Sequence, residues 1–194
     1  MNPDNKVFFI TGSSRGLGRS LTEIALKEGN TVVATARHPE KLGDLVEKYG
    51  KRILPLKLDV TQKDEVTATV QKALDTFDHI DVLINNAGDA RLGSIEDTSI
   101  ADFEDQMQTN FMGTVYVTKA VLPSMTKRNA KATIINMSSV GSRTDNPGLG
   151  AYQTAKAAVS TFTSVLNNEL SETKVRAVAV ELGDMQSYWE NHSK

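Results

Sequence analysis

The chain has 194 residues, of which 39% are hydrophobic and 24% charged, with a net charge of −2. This is the composition of an ordinary globular domain, long enough for one well-buried core and short for two. No basic block points to nucleic acid, and the absence of cysteine excludes disulfides and thiolate metal sites.

The three histidines, His38, His79 and His192, are far apart and lack metal-ligand spacing, so no metal is expected. The first ten residues lack the shape of a signal peptide, and no stretch approaches the ~20 apolar residues of a membrane span. The expected compartment is the cytoplasm, with no membrane partner.

In chain order, short apolar runs alternate with longer helical patterns. Val7–Thr11 predicts a first strand and Gly18–Lys27 a helix. Thr31–Ala36 predicts a second strand, then a helix over Glu40–Tyr49 with Pro39 at its start. Ile53–Leu58 predicts a third strand, and Asp59-Val60-Thr61 an N-cap for a helix over Lys63–Phe77. Val82–Asn85 is a fourth strand and Ala101–Arg128 a long helix. Thr133–Met137 is a fifth strand, Gly141–Gly150 an irregular loop, Tyr152–Leu170 a helix and Val175–Val180 a sixth strand. The runs are rich in Val and Ile with little strict alternation, as strands buried on both faces of a parallel sheet are. The fold expected is α/β: a Rossmann-type doubly wound parallel sheet of about six strands, with helices on both faces and one domain over 1–194. Met107, Phe111, Thr114, Val117, Val121 and Met125 recur at helical spacing, as a core stripe does.

Thr11 to Gly18 reads T-G-S-S-R-G-L-G, directly after the first strand and opening the first helix. Gly12, Gly16 and Gly18 allow a tight turn and close approach to a ligand. With Ser14, Arg15 and Leu17 they place a helix N-terminus where a pyrophosphate sits. In the usual dinucleotide site an acid about 20 residues on binds the ribose 2′-OH. Here the second strand ends A-T-A-R, so Ala36 takes that place and Arg37 follows. Arg15 and Arg37 without a carboxylate favour a 2′-phosphate, hence NADP(H) over NAD(H).

Tyr152 and Lys156 are four apart and share a helix face. A nearby cation is expected to lower the tyrosine pKa and make it a usable general acid/base. Ser139 stands thirteen residues earlier, across the loop. Together with T-G-S-S-R-G-L-G, the segments D-V at 59–60, N-N-A-G at 85–88, N-F-M-G at 110–113, M-S-S-V at 137–140 and Y-Q-T-A-K at 152–156 resemble the short-chain dehydrogenase/reductase family in order and spacing, from about Lys6 to Ser187.

The resemblance implies an oxidoreductase with Asn110, Ser139, Tyr152 and Lys156 as catalytic residues. It implies that Ser139, before Val140, is the acting serine rather than Ser138. Lys156 would also hold the nicotinamide ribose, and Asn110 would support a water-linked proton relay from a helix kink. Asp59 and Val60 would contact the adenine, and Asn86, Ala87 and Gly88 would line the adenosine and ribose side. Gly183, Met185 and Ser187 match the turn that holds the nicotinamide carboxamide, although Leu182 stands where the family has proline. A homodimer and a small carbonyl or alcohol substrate are also implied. A binding protein with little catalysis is the alternative. A serine hydrolase built on Ser139 would need a histidine base, and none lies in a motif. The tail after Ser187 reads as a shortened substrate lid without a seventh strand, leaving an exposed sixth strand.

Overall fold

The structure is a computed structural model, and it describes residues 5–183. Six parallel strands form one sheet: β1 (Val7–Thr11), β2 (Thr31–Ala36), β3 (Ile53–Lys57), β4 (Val82–Asn85), β5 (Ala132–Ser139) and β6 (Val175–Leu182), in the order β3-β2-β1-β4-β5-β6. The connecting helices are α1 (Gly16–Lys27), α2 (Gly43–Tyr49), α3 (Lys63–Phe77), α4 (Ile100–Met107), α5 (Gly113–Arg128) and α6 (Gly150–Glu169). A short 3-10 turn over Pro39–Leu42, with Pro39 in its first turn, leads into α2.

The two-residue period of a strand explains the unbroken apolar runs. Phe9, Val33, Leu83 and Ile134 point to one face and pack with Val66, Val70, Val117, Val121 and Leu166 of α3, α5 and α6. Their neighbours Ile10, Val32, Ala34 and Ile84 point to the other face and meet Ala25, Leu26 and Leu45 of α1 and α2. The α5 stripe is core at Val117, Val121 and Met125.

Three expectations are corrected. The helix read as continuous over Ala101–Arg128 is broken by a π-turn over Gln108–Met112, centred on the buried Asn110, where the resemblance implied a kink. Asp59 does not cap α3: the N-cap position is Gln62, and Asp59 Oδ1 accepts instead from Thr61 N (3.0 Å) and Thr61 Oγ1 (2.8 Å). β6 is buried only on one face and only over its first half. Val175 and Ala177 are covered, whereas Val178 is 44% and Val180 37% exposed, because the helices of the other face pack against β1, β2 and β3 at the far side of the sheet. Met185, Ser187 and the shortened lid lie outside the described residues.

Candidate active site

The site occupies the carboxyl ends of the strands, where loops leave the sheet. After β1 the chain doubles back so closely that a Cβ on Gly18 would overlap Gly12 O and Asn86 Nδ2; only glycine fits there. Thr11 ties this loop to the end of β4. Its hydroxyl accepts from Asn86 N and Ala87 N, both at 2.9 Å, and its carbonyl accepts from Asn86 Nδ2 at 2.9 Å. The Asn86 amide thus shapes the glycine loop. Ser14 is half-buried at the loop's rim and Leu17 packs beneath it against the α1–α2 core.

The α1 N-terminus carries no side-chain cap and no acid in its first turn. The N–H groups at Gly16, Leu17 and Gly18 are therefore open to an anion. Arg15 precedes them and Arg37 follows β2; both are exposed, and neither pairs with a carboxylate among the described residues. Other arginines do pair: Arg19 with Glu23 and Asp44, Arg91 with Asp102, Arg128 with Asp81. These features fit a dinucleotide pyrophosphate. Val60 is buried beside Asp59, after β3.

The titratable core of the site comes from α6, β5 and the π-turn. Lys156 is only 5% exposed. Its Nζ donates to Met137 O at 2.8 Å and lies 5.7 Å from the centroid of the Tyr152 ring. Burial pushes its pKa down to about 8, opposed by the charge of Asp89. Burial raises the Tyr152 phenol above its usual value, and a hydrogen bond with Ser139 acts against that rise. At Tyr152 desolvation thus outweighs the hydrogen bond with Ser139, while the Lys156 ammonium stands beside the ring.

The adjacent serines differ. Ser138 is buried, with its hydroxyl bonded to Lys156 O (3.0 Å) and Ser160 Oγ (2.7 Å). Ser139 closes β5; its hydroxyl accepts from Gly141 N at 3.1 Å and is hydrogen-bonded to Tyr152. Asn110 is fully buried, and its side chain grips residue 89 at both main-chain atoms. Nδ2 donates to Asp89 O (2.8 Å) and to Gln106 O (3.0 Å), and Oδ1 accepts from Asp89 N (3.2 Å). A Cβ on Gly88 would meet Asn110 Oδ1 at 2.6 Å and Lys156 Nζ at 3.5 Å, so the chain passes between the two only as glycine. Gly183 lies past β6, exposed.

Several residues outside the motifs also hold this geometry. Gln106 is buried and its Oε1 accepts from Arg91 N at 3.1 Å. Asn136 is fully buried and joins Asn85 Nδ2 to Thr163 Oγ1, both at 2.8 Å. One signal was available for Asn136: an amide inside an apolar strand, in register with Asn85 of the N-N-A-G segment. Beside the site, a cavity of about 580 Å³ lies between the segment at Ser94 and Ile95, the loop after β5 and the first turns of α6. Among the described residues no helix is long and apolar enough to cross a membrane.

A family model described as short chain dehydrogenase matches residues 6–193. The chain belongs to that family of oxidoreductases, whose fold binds a nicotinamide dinucleotide. It is 45% identical over 189 residues to oxidoreductase BOA17 of Botryotinia fuckeliana, covering 97% of this chain and 69% of that protein. It is 36% identical over 187 residues to the NADP-dependent 3-hydroxy acid dehydrogenase of Schizosaccharomyces pombe, covering 93% and 71%. A crystal structure of a short-chain dehydrogenase from Streptomyces avermitilis superposes with a TM-score of 0.90 at 34% identity, over 93% of this chain and 66% of that one. The chain thus spans about two thirds of the length of these relatives.

Proposed function

We propose that this protein reduces a carbonyl, or oxidises the corresponding alcohol, with NADP(H) as the partner and Tyr152 as the general acid/base. The observation that carries the reading is the convergence of Tyr152, Lys156 and Ser139 beside the Asn110 π-turn, at the strand ends that also bear the glycine loop. When bound, the nicotinamide supplies or accepts the hydride at the carbonyl carbon. A phenol is protonated at neutral pH and burial acts in the same direction here; this is the form that gives a proton to the carbonyl oxygen. Ser139, hydrogen-bonded to Tyr152, presents its hydroxyl to the same oxygen and orients it. Lys156, beside the ring, offers a cation to the phenolate as it forms. Support for NADP(H) comes from Arg15 and Arg37, free of carboxylates among the described residues, and from the relative named NADP-dependent.

The cavity chemistry favours an uncharged substrate. Among the described residues Asp145 is the sole charged one lining it, so an acid bound there would lose its hydration without gaining a counter-charge from them. Purified protein assayed by NADPH absorbance is expected to turn over ketones faster than keto acids of matched size. Tyr152→Phe is expected to lower kcat about 10²–10⁴-fold with NADPH binding unchanged. Retained turnover in that variant would overturn the mechanism, and a preference for keto acids would overturn the substrate class.

A further inference from the structure

The loop after β5 forms a wall of the large cavity, and its middle is exposed. Thr144, Asp145, Asn146 and Pro147 all lie open to solvent. An exposed loop of this kind is mobile unless something ties it down. Its ends are tied: Arg143 pairs with Glu181 at 2.9 Å, and Gly148 O accepts from Gly93 N at 3.0 Å. Between those ends one side chain reaches the exposed stretch from the helix. Gln153, half-buried in the first turn of α6, uses both ends of its amide. Oε1 accepts from Asn146 N at 3.0 Å, and Nε2 donates to Thr144 Oγ1 at 3.1 Å. The same side chain packs over Gly141, where a Cβ would meet Gln153 Nε2 at 3.3 Å and Cγ at 3.4 Å. Gly141 N in turn donates to Ser139 Oγ at 3.1 Å.

We propose that Gln153 is a positioning residue for this site: its amide holds the Thr144–Asn146 wall of the cavity and so sets how tightly cavity-filling substrates bind. The inference rests on the reading of the protein as a carbonyl reductase, but the holding itself does not. Gln153 stands next to Tyr152 in the helix, so the wall and the proton donor are referred to one rigid element. A glutamine serves because its amide offers an acceptor to a backbone N–H and a donor to a hydroxyl at once. A methionine has nearly the same length and volume and can do neither.

The test compares Gln153→Met and Gln153→Glu with the unaltered protein. In Gln153→Met, hydrogen exchange at the Asn146 amide is expected to rise up to about tenfold, the scale of one lost hydrogen bond. KM for an aryl ketone that fills the cavity should rise about tenfold, with kcat within about threefold and a small aldehyde such as propanal little affected. Gln153→Glu should restore both readouts, because a carboxylate accepts from Asn146 N and the Thr144 hydroxyl can rotate to donate to it. Unchanged Asn146 exchange in Gln153→Met would overturn the proposal. So would a fall in kcat shared by large and small substrates, which marks a general defect. If the unaltered protein reduces no carbonyl, the functional reading fails, and the exchange result still decides whether Gln153 holds the wall.

Discussion

Lys156 shows at the scale of one residue how a functional group acts against stability. Its ammonium is buried behind the Tyr152 ring with a single backbone carbonyl at 2.8 Å, and burial depresses its pKa to about 8 from 10.5. A lysine depressed in the folded chain opposes folding while it is charged. Below pH 8 both folded and unfolded chains carry the proton, and the cost of burying the cation is present in full. Between about pH 8 and 10.5 the unfolded chain holds more protons than the folded one, so this group's contribution to stability improves as pH rises. Lys156→Met keeps the volume and removes the charge. It also removes a charge-assisted hydrogen bond, so the net gain is about 1 kcal/mol. The variant should therefore melt about 2–4 °C higher at pH 7, and the gain should shrink as pH rises through that window. A variant that melts lower at pH 7, or a gain that grows with pH, would contradict this account. The same substitution should abolish turnover, since it takes the cation from beside the phenol.

At the scale of elements, a ladder of buried amides and hydroxyls joins two strands to two helices. Asn85 of β4 donates to Thr118 of α5 (2.9 Å) and to Asn136 of β5, which donates to Thr163 of α6. Asn136→Ala removes the middle rung and leaves Asn85 and Thr163 each with one partner fewer in a dry interior. A loss of about 2–4 kcal/mol is expected, lowering the melting temperature by about 4–16 °C. In a double-mutant cycle with Asn85→Ala the two losses should fall short of their sum, because both remove one bond; simple additivity would refute the ladder. These rungs also mark where reading the sequence stops. β1, β2 and β4 were legible to the residue because their apolar runs end at turn-forming or polar residues. Tyr152 and Lys156 were legible because their relation is local, one helical turn. The break between α4 and α5 was implied by the family resemblance, as a kink at Asn110, but not by the periodicity, because Asn110 grips Asp89, 21 residues away in the chain. The Asp59 cap misled for a related reason: a nearer hydroxyl and N–H, both of Thr61, took its carboxylate. Thr11 and Gln106 were passed over because their partners come from other segments of the chain.

At the scale of the molecule, the sheet order places β1 beside β4, and the chain runs outward in opposite directions from that seam. Doubly wound sheets bind ligands in the crevice at such a switch point, and here the glycine loop, Arg37, Asp59, Gly88 and Ser139 all follow strand ends on that side. A dinucleotide laid across it touches loops from both halves of the sheet and binds only the folded chain. Its affinity must then appear as stability: ligand at 100 times its Kd adds about 2.7 kcal/mol, a rise of about 5–11 °C for a chain of this size. On the proposed preference, NADPH should raise the melting temperature more than NADH at equal concentration, because only NADPH carries a 2′-phosphate for Arg15 and Arg37 to meet. Arg37→Ala should cut the NADPH shift by about 3–5 °C, equivalent to roughly tenfold in affinity, and leave the NADH shift unchanged. That difference should narrow with added salt, since both guanidiniums are exposed and screened. Equal shifts from the two cofactors in the unaltered protein would refute the preference for NADP(H). A larger loss with NADH than with NADPH in Arg37→Ala would show that Arg37 serves the loop and not the phosphate.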